Sequence, residues 1–309
     1  EVRFKAKVTD IKITEGNISE VILNGQETLP CEVVVLAIGH SARDTYEMLY
    51  QRNVELEAKP FAIGVRIEHP QELIDKAQYG EYAGAANLAA ADYSLVYNDI
   101  ETKRSAYSFC MCPGGMVVGA TSEKNQVVTN GMSNYQRNSG IANSAIIVTV
   151  NTDDFGGNVL DGISFQRKYE KLAFEVGGEN YNAPMQTVGD FLNNNVGSTD
   201  FLVKPTYLPG VKSADLRDCL PKFVTTTIAK ALPYFGQKIK GFDAPNVVMT
   251  GVETRTSAPV RIVRNKELVS LNTKGLYPTG EGAGYAGGIM SAAIDGMNVA
   301  IKIINKYKM

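Results

Sequence analysis

Polar and apolar positions alternate from the first residues of the chain. Val2, Phe4, Ala6 and Val8 interleave with Arg3, Lys5 and Lys7, which predicts a strand at the outset. Ile18, Val21 and Leu23 lie between turn signals at Glu15-Gly16-Asn17 and Asn24-Gly25. Residues 1 to 39 therefore read as a β-meander feeding a further strand. That strand, Val33 to Ile38 with Gly39 behind it, is continuously apolar, the pattern of a strand covered on both faces. Ser41-Ala42-Arg43-Asp44 follows as a capping box. Tyr46, Leu49 and Tyr50 give the next helix an inner face.

From residue 60 the periodicity changes repeatedly. Phe61, Ile63, Val65 and Ile67 alternate with Ala62, Gly64, Arg66 and Glu68, predicting a half-buried strand. His69-Pro70 ends it, and Gln71 to Ala77 reads as a short helix. Tyr93 to Tyr97 and Ser105 to Cys112 are strands. Pro113-Gly114-Gly115 turns the chain, and Met116 to Ala120 returns it as a hairpin. Ala145 to Val150 is another strand. Phe165, Tyr169, Leu172, Ala173 and Val176 form a helical stripe with Gly177 at C′. Residues 177 to 220 are rich in Gly, Asn, Pro and Asp and read as loops. A helix follows from Pro221 to Leu232, and Val247 to Glu253 returns the chain to its first domain. The expected organisation is a discontinuous domain at 1–58 and 244–309, with an α+β domain built on an antiparallel sheet inserted at 59–243. No internal period repeats.

The most distinctive stretch is C-terminal. Leu276 to Thr279 is a short strand, and five glycines occur from Gly280 to Gly288, where a Cβ would restrict the backbone. Ile289, Ala293, Met297, Ala300, Ile301 and Ile304 then share one helical face. Lys302, Lys306 and Lys308 suit the negative end of the helix dipole. The helix N-terminus at Gly287-Gly288 thus points toward the glycine crossing, where its N–H groups attract an anion or a carbonyl oxygen.

Charge and composition narrow the partners. With 31 basic and 33 acidic residues the formal charge is −2, giving no reason to expect a nucleic acid or a membrane surface. No apolar run reaches the roughly twenty residues a spanning helix needs, and the first residues are not a signal peptide. Four cysteines are too few for a disulfide framework, which points to reduced thiols and a cytoplasmic protein. Cys110-x-Cys112 fits a redox pair, half a metal site or two buried thiols. Neither remaining Cys, nor His40 or His69, has a spacing that completes a metal site, so no metal is expected. Arg255 and Arg66 offer guanidinium forks for an anionic substrate; Arg255 alternatively pairs with Glu253 or Asp295. His40 either approaches a ligand after the Ile38-Gly39 turn or is a surface residue ahead of a helix, and His69 reads as a strand end.

The crossing Thr279-Gly280-Glu281 with Gly287-Gly288 resembles the C-terminal flavin-binding motif of two-domain FAD-dependent oxidoreductases. Ala37-Ile38-Gly39 stands where that family has Ala-Thr-Gly. Four segments occur in order: Ala37 to Asp44, Ser108 to Gly115, Val252 to Arg261 and Thr279 to Ile289. As a set they resemble a bacterial, largely uncharacterised family of FAD-dependent dehydrogenases described as NAD(FAD)-utilising. The resemblance implies a partial Rossmann-like FAD-binding domain interrupted by an antiparallel-sheet substrate domain. It implies that Glu281 bonds a ribityl hydroxyl, beside Gly280. The backbone at Ala286, Gly287, Gly288 and Ile289 would face flavin N1 and the C2 carbonyl, and Gly39 would pass the adenosine side. It also implies hydride transfer through flavin N5, with NADH or NADPH as donor and a small molecule as substrate. No catalytic acid or base is assigned.

That family normally opens on a strand–Gly-x-Gly-x-x-Gly–helix unit that holds the FAD pyrophosphate. None precedes Glu1, so the expectation is the C-terminal part of a longer protein that binds FAD weakly or not at all by itself. Two other function classes stay open: a non-catalytic flavin-fold binding module, and a flavin-dependent RNA-modifying enzyme, against which the near-neutral charge argues.

Overall fold

A computed structural model describes residues 1–307. Contacts divide the chain into two compact units. Unit 1 holds Glu1–Phe61, Asn151–Phe165 and the described residues from Ser257 onward; unit 2 holds Ala62–Val150 and Gln166–Thr256.

Unit 1 opens with the expected meander. Strands Val8–Thr14, Asn17–Leu23 and Glu27–Pro30 pair antiparallel in sequence order. Glu15 and Gly16 both have positive φ, as a two-residue hairpin turn matched to strand twist requires. The strand does not reach residue 1, however. Val2 and Phe4 are exposed, and Lys5 takes a left-handed φ of 54°, which breaks the extended run before Val8. The apolar run at 33–38 also yields less strand than expected. Only Val34–Leu36 is regular, paired parallel with Leu276–Pro278. Leu36 turns into the core while Val35 is 50 % exposed, so this strand is not covered on both faces.

The helix Arg43–Gln51 starts at Ala42, without a side-chain cap. The expected capping box fails because Asp44 bonds elsewhere: Oδ1 accepts from Thr45 N, and Oδ2 pairs with Lys7. Tyr46 and Leu49 are buried as expected, but Tyr50 is exposed. They join Ile11, Ile18, Leu36, Val260, Ile262 and Leu276 in one core. Ile163 packs into it too, which is why Asn151–Phe165 belongs to this unit.

The C-terminal helix, Ile289–Lys306, does not bury the face its pattern marks. Ile289, Met297, Ile301 and Ile304 are all more than half exposed. It packs instead through Val299 and Ile303, with Val269 and Tyr277 in the same cluster. Lys308 lies outside the described residues.

Unit 2 is built on a seven-stranded sheet in the order Val211–Ser213, Ala183–Thr187, Val248–Glu253, Phe61–Pro70, Ile141–Val150, Arg104–Cys112, Val96–Asp99. Ala183–Thr187 runs parallel to Val211–Ser213 and antiparallel to Val248–Glu253, so the sheet is mixed rather than purely antiparallel. Val248–Glu253, expected to return the chain to its first domain, pairs with Phe61–Pro70 here. Phe61–Pro70 is buried at every position from Phe61 to His69, not half-buried. Its neighbours in the sequence pattern were polar or small, but each has a covering layer. A two-stranded ribbon, Gly115–Gly119 with Thr129–Ser133, carries Asn130 to the Arg66 side. On the alternate side chains, His69 bonds the Phe242 carbonyl, and Phe242 stacks on Phe235 of the helix Lys222–Lys238.

Four other expectations change. The Gly115–Gly119 strand pairs with Thr129–Ser133 rather than folding back on Arg104–Cys112. The segment read as loops contains a buried strand, Ala183–Thr187, and a helix, Val188–Asn193, capped by the Thr187 hydroxyl accepting from Asp190 N. The helix Lys222–Lys238 continues through Pro233, since burial of Val224, Ile228, Ala231, Leu232 and Phe235 outweighs one missing N–H. The helix Asp161–Val176 has its left-handed residue at Gly178, not Gly177, and Glu179 N donates to Phe174 O across it.

Candidate functional site

The glycine crossing of unit 1 brings Gly39, Gly280, Glu281, Gly287, Gly288 and Ile289 into one neighbourhood. Gly39 and Gly280 have φ of 71° and 74°, and Gly288 reaches 116°, a region in which only glycine is unstrained. Gly282 lies against the other loop so closely that a Cβ there would meet Gly39 O at 2.5 Å. The turn after Ile38 and the crossing after Thr279 are thus packed backbone to backbone. Tyr46 locks them together. Its buried hydroxyl donates to Gly282 O at 2.8 Å, with Gly39 O at 3.3 Å. Burial, and then the nearby Glu281 charge, push its phenol well above the ordinary range, so it remains a donor.

Glu281 sits at the centre. One carboxylate oxygen, Oε2, lies 3.0 Å from His40 Nδ1, and the other accepts from Gly288 N. A carboxylate at a helix N-terminus is favoured by the helix dipole. Both oxygens keep lone pairs for another donor. The crossing is tied at its start as well. Asp295 accepts from Gly280 N at 2.7 Å while it pairs with Arg264. Burial raises the Asp295 carboxyl, but its hydrogen bonds to Arg264 and Gly280 N bring it below its ordinary value.

The backbone beside this carboxylate is open at three of its glycines. A Cβ built at Gly39, Gly287 or Gly288 would meet nothing within 4 Å. These positions therefore do not use glycine to fit protein neighbours. Ala286 is half-buried and Ile289 is exposed next to them.

Arg66 and Arg255, the two candidate anion binders, belong to unit 2. Each is enclosed by its own partners. Arg66 is fully buried and donates to Glu253, Asn130, Asn143 and the Cys110 carbonyl. Arg255 pairs with Glu170 at 2.9 Å and bonds Ser122; the partners anticipated for it, Glu253 and Asp295, serve Arg66 and Arg264 instead. Cys110 is exposed and Cys112 buried. Among the described residues no group of three or more His, Cys, Asp or Glu side chains is arranged to hold a metal, and no helix is long and apolar enough to cross a membrane.

Sequence reasoning missed the pairing of His40 and the roles of Tyr46 and Asp295. The His40–Glu281 pair spans 241 positions, and no local pattern reports such a contact. Tyr46 was assigned to the core by its spacing, which conceals its hydroxyl. Asp295 was weighed as an Arg255 partner rather than as the acceptor for Gly280.

The model of a family described as FAD-dependent protein, C-terminal domain-like, matches residues 60–256, a stretch that contains all of unit 2. An uncharacterized protein of Clostridium beijerinckii (strain ATCC 51743 / NCIMB 8052) is 52% identical over 308 residues, 99% of this chain and 58% of that protein. The chain thus spans less than two thirds of the length of this relative.

Proposed function

The chain belongs to the FAD-dependent protein, C-terminal domain-like family, and on that premise we propose that it is the C-terminal part of an FAD-dependent oxidoreductase acting on a small molecule. The observation that carries this reading is the Glu281 carboxylate, held between His40 and Gly288 N beside glycines whose Cβ positions are open space. In this reading unit 1 is the remainder of a Rossmann-like FAD-binding domain, and unit 2 supplies the substrate domain. FAD, when bound, supplies the two-electron chemistry. Glu281 accepts a ribityl hydroxyl, with His40 and Gly288 fixing the carboxylate's rotamer in advance. With Gly287 N held by Ser291 and Gly288 N by Glu281, the helix that starts at Ile289 turns its positive end toward the pyrimidine side, which favours negative charge there by roughly 1 kcal/mol. Gly39 allows close passage on the adenosine side. A dinucleotide-binding unit elsewhere in the longer protein would hold the pyrophosphate, and NADH or NADPH would be the electron donor.

The test is a visible spectrum of the longer natural protein, purified and then treated anaerobically with NADH and, separately, NADPH. The expected result is a flavin band that bleaches with one donor. Glu281→Ala is expected to weaken FAD binding about tenfold, the equivalent of about 1.4 kcal/mol, while leaving the far-UV circular dichroism unchanged. A folded protein that purifies without flavin and takes up none would remove the reading. Flavin that no nicotinamide reduces would leave binding in place and remove the proposed donor.

A further inference from the structure

A second piece of chemistry lies in unit 2, away from the glycine crossing in sequence and independent of it in argument. The strand Arg104–Cys112 carries a bulge against Ile141–Val150. Cys112 is opposite Asn143 and Phe109 opposite Ala145, so Cys110 and Met111 together face Ser144. Cys110 sits at the bulge with a φ of +45°. A left-handed cysteine is a strained conformation that persists only where its surroundings hold it. Here they do: the Cys110 carbonyl accepts from the buried Arg66 guanidinium at 2.8 Å and from Cys112 Sγ at 3.3 Å.

The bulge changes what the two thiols can reach. In a regular strand, residues two apart are about 6.6 Å from each other, near the upper limit for a disulfide. The left-handed residue at Cys110 breaks that regular spacing, and the Cys112 thiol turns back to donate to the Cys110 carbonyl. Their exposures differ, since Cys110 is exposed and Cys112 is buried. Cys110 is the thiol that a small disulfide in solution can meet first. Two ordinary core cysteines would not divide in this way.

We propose that Cys110 and Cys112 form a thiol–disulfide exchange site that reacts with low-molecular-weight disulfides. The Cys110 thiolate attacks one sulfur of the small disulfide. A bond forms between them, the disulfide bond breaks, and one small thiolate leaves with an electron pair and takes up the proton Cys110 has lost. Cys112, as its thiolate, then attacks the Cys110 sulfur and expels the second small thiolate, which takes up the Cys112 proton. The protein is oxidised by two electrons, and the small disulfide is reduced to two thiols.

The electrostatics order these steps. Hydrogen bonding to the Cys110 side chain, and then burial, push the Cys112 thiol well above the ordinary range, while the Arg66 charge works the other way. Cys112 therefore stays a thiol in the resting protein and is not the first to attack.

The 309-residue chain tests this directly. It is equilibrated in graded mixtures of reduced and oxidised glutathione, quenched in acid, unfolded, alkylated and digested for mass spectrometry. The expected result is a peptide spanning Cys110 and Cys112 that loses two hydrogens over a defined range of redox poise, while Cys219 remains alkylated throughout. Cys112→Ser is expected to stop at a glutathione adduct on Cys110. A wild-type peptide alkylated at both positions at the most oxidising poise would overturn the proposal, as would a persistent adduct on wild-type Cys110 without the internal disulfide. The wild-type readout decides the matter even if the variant fails to fold.

Discussion

Glu68 is a buried carboxyl that accepts from Thr206, whose hydroxyl donates at 2.6 Å and whose backbone N donates at 3.2 Å. Burial outweighs those bonds and raises its pKa from 4.5 to about 7. The folded chain therefore binds more protons than the unfolded chain between those values, and stability contributed by this group falls as pH rises through that window. Below about 4.5 both states are protonated and the group is neutral in its effect. Above about 7 the full penalty, roughly 3 kcal/mol, applies. Glu68→Gln keeps the acceptor and removes the charge. Urea melts at pH 5 and pH 8 are expected to show the variant gaining stability over the parent only at the higher pH. The Arg255–Glu170 pair behaves differently, because both charges are buried and each holds the other. Glu170→Ala leaves an uncompensated guanidinium and is expected to cost about 3–5 kcal/mol in a denaturant melt. Replacing both by apolar residues of similar size is expected to cost much less. None of this was readable from residue type. Arg66 and Arg255 carry the same label in the sequence whether they face a substrate or a buried glutamate, and the deciding partners lie 187 and 85 positions away.

At the scale of elements, patterning succeeded where turn chemistry is local and failed where cover comes from afar. Glu15-Gly16 and Asn24-Gly25 announced the meander because left-handed turns select those residues. The strand Phe61–Pro70 looked half-buried because Arg66 and Glu68 alternate with Ile63, Val65 and Ile67; each polar position is met by a specific acceptor or donor instead of water. The helix Ile289–Lys306 inverts the usual relation. Its apolar stripe is exposed, and its buried residue is Val299. Met297→Gln is accordingly expected to change the folding free energy of this chain by less than about 0.5 kcal/mol, as for a surface site. Val299→Ala removes buried methyl groups and is expected to cost about 1–2 kcal/mol. Parallel thermal melts of the two variants distinguish a helix held by its marked face from one held by the opposite side.

The whole molecule shows how far one chain can be read without its partners in space. Two lengths of sequence that flank the middle of the chain fold as one unit, joined by Asn151–Phe165. The two loops of the candidate site meet because Tyr46 and Gly282 bring them to contact. The glycine spacing predicted the crossing itself; the opposing loop and its histidine came only with the fold. The great sheet of unit 2 has a consequence for the behaviour of the protein at high concentration. Its two margins are Val96–Asp99 and Val211–Ser213, with four and three residues. Lys212 lies in the middle of one, and Asp99, held by Lys230, ends the other. Short, charged margins offer few open backbone groups to a neighbouring chain. A broad and strongly apolar sheet can thus avoid templating fibrils, through the brevity of its outermost strands.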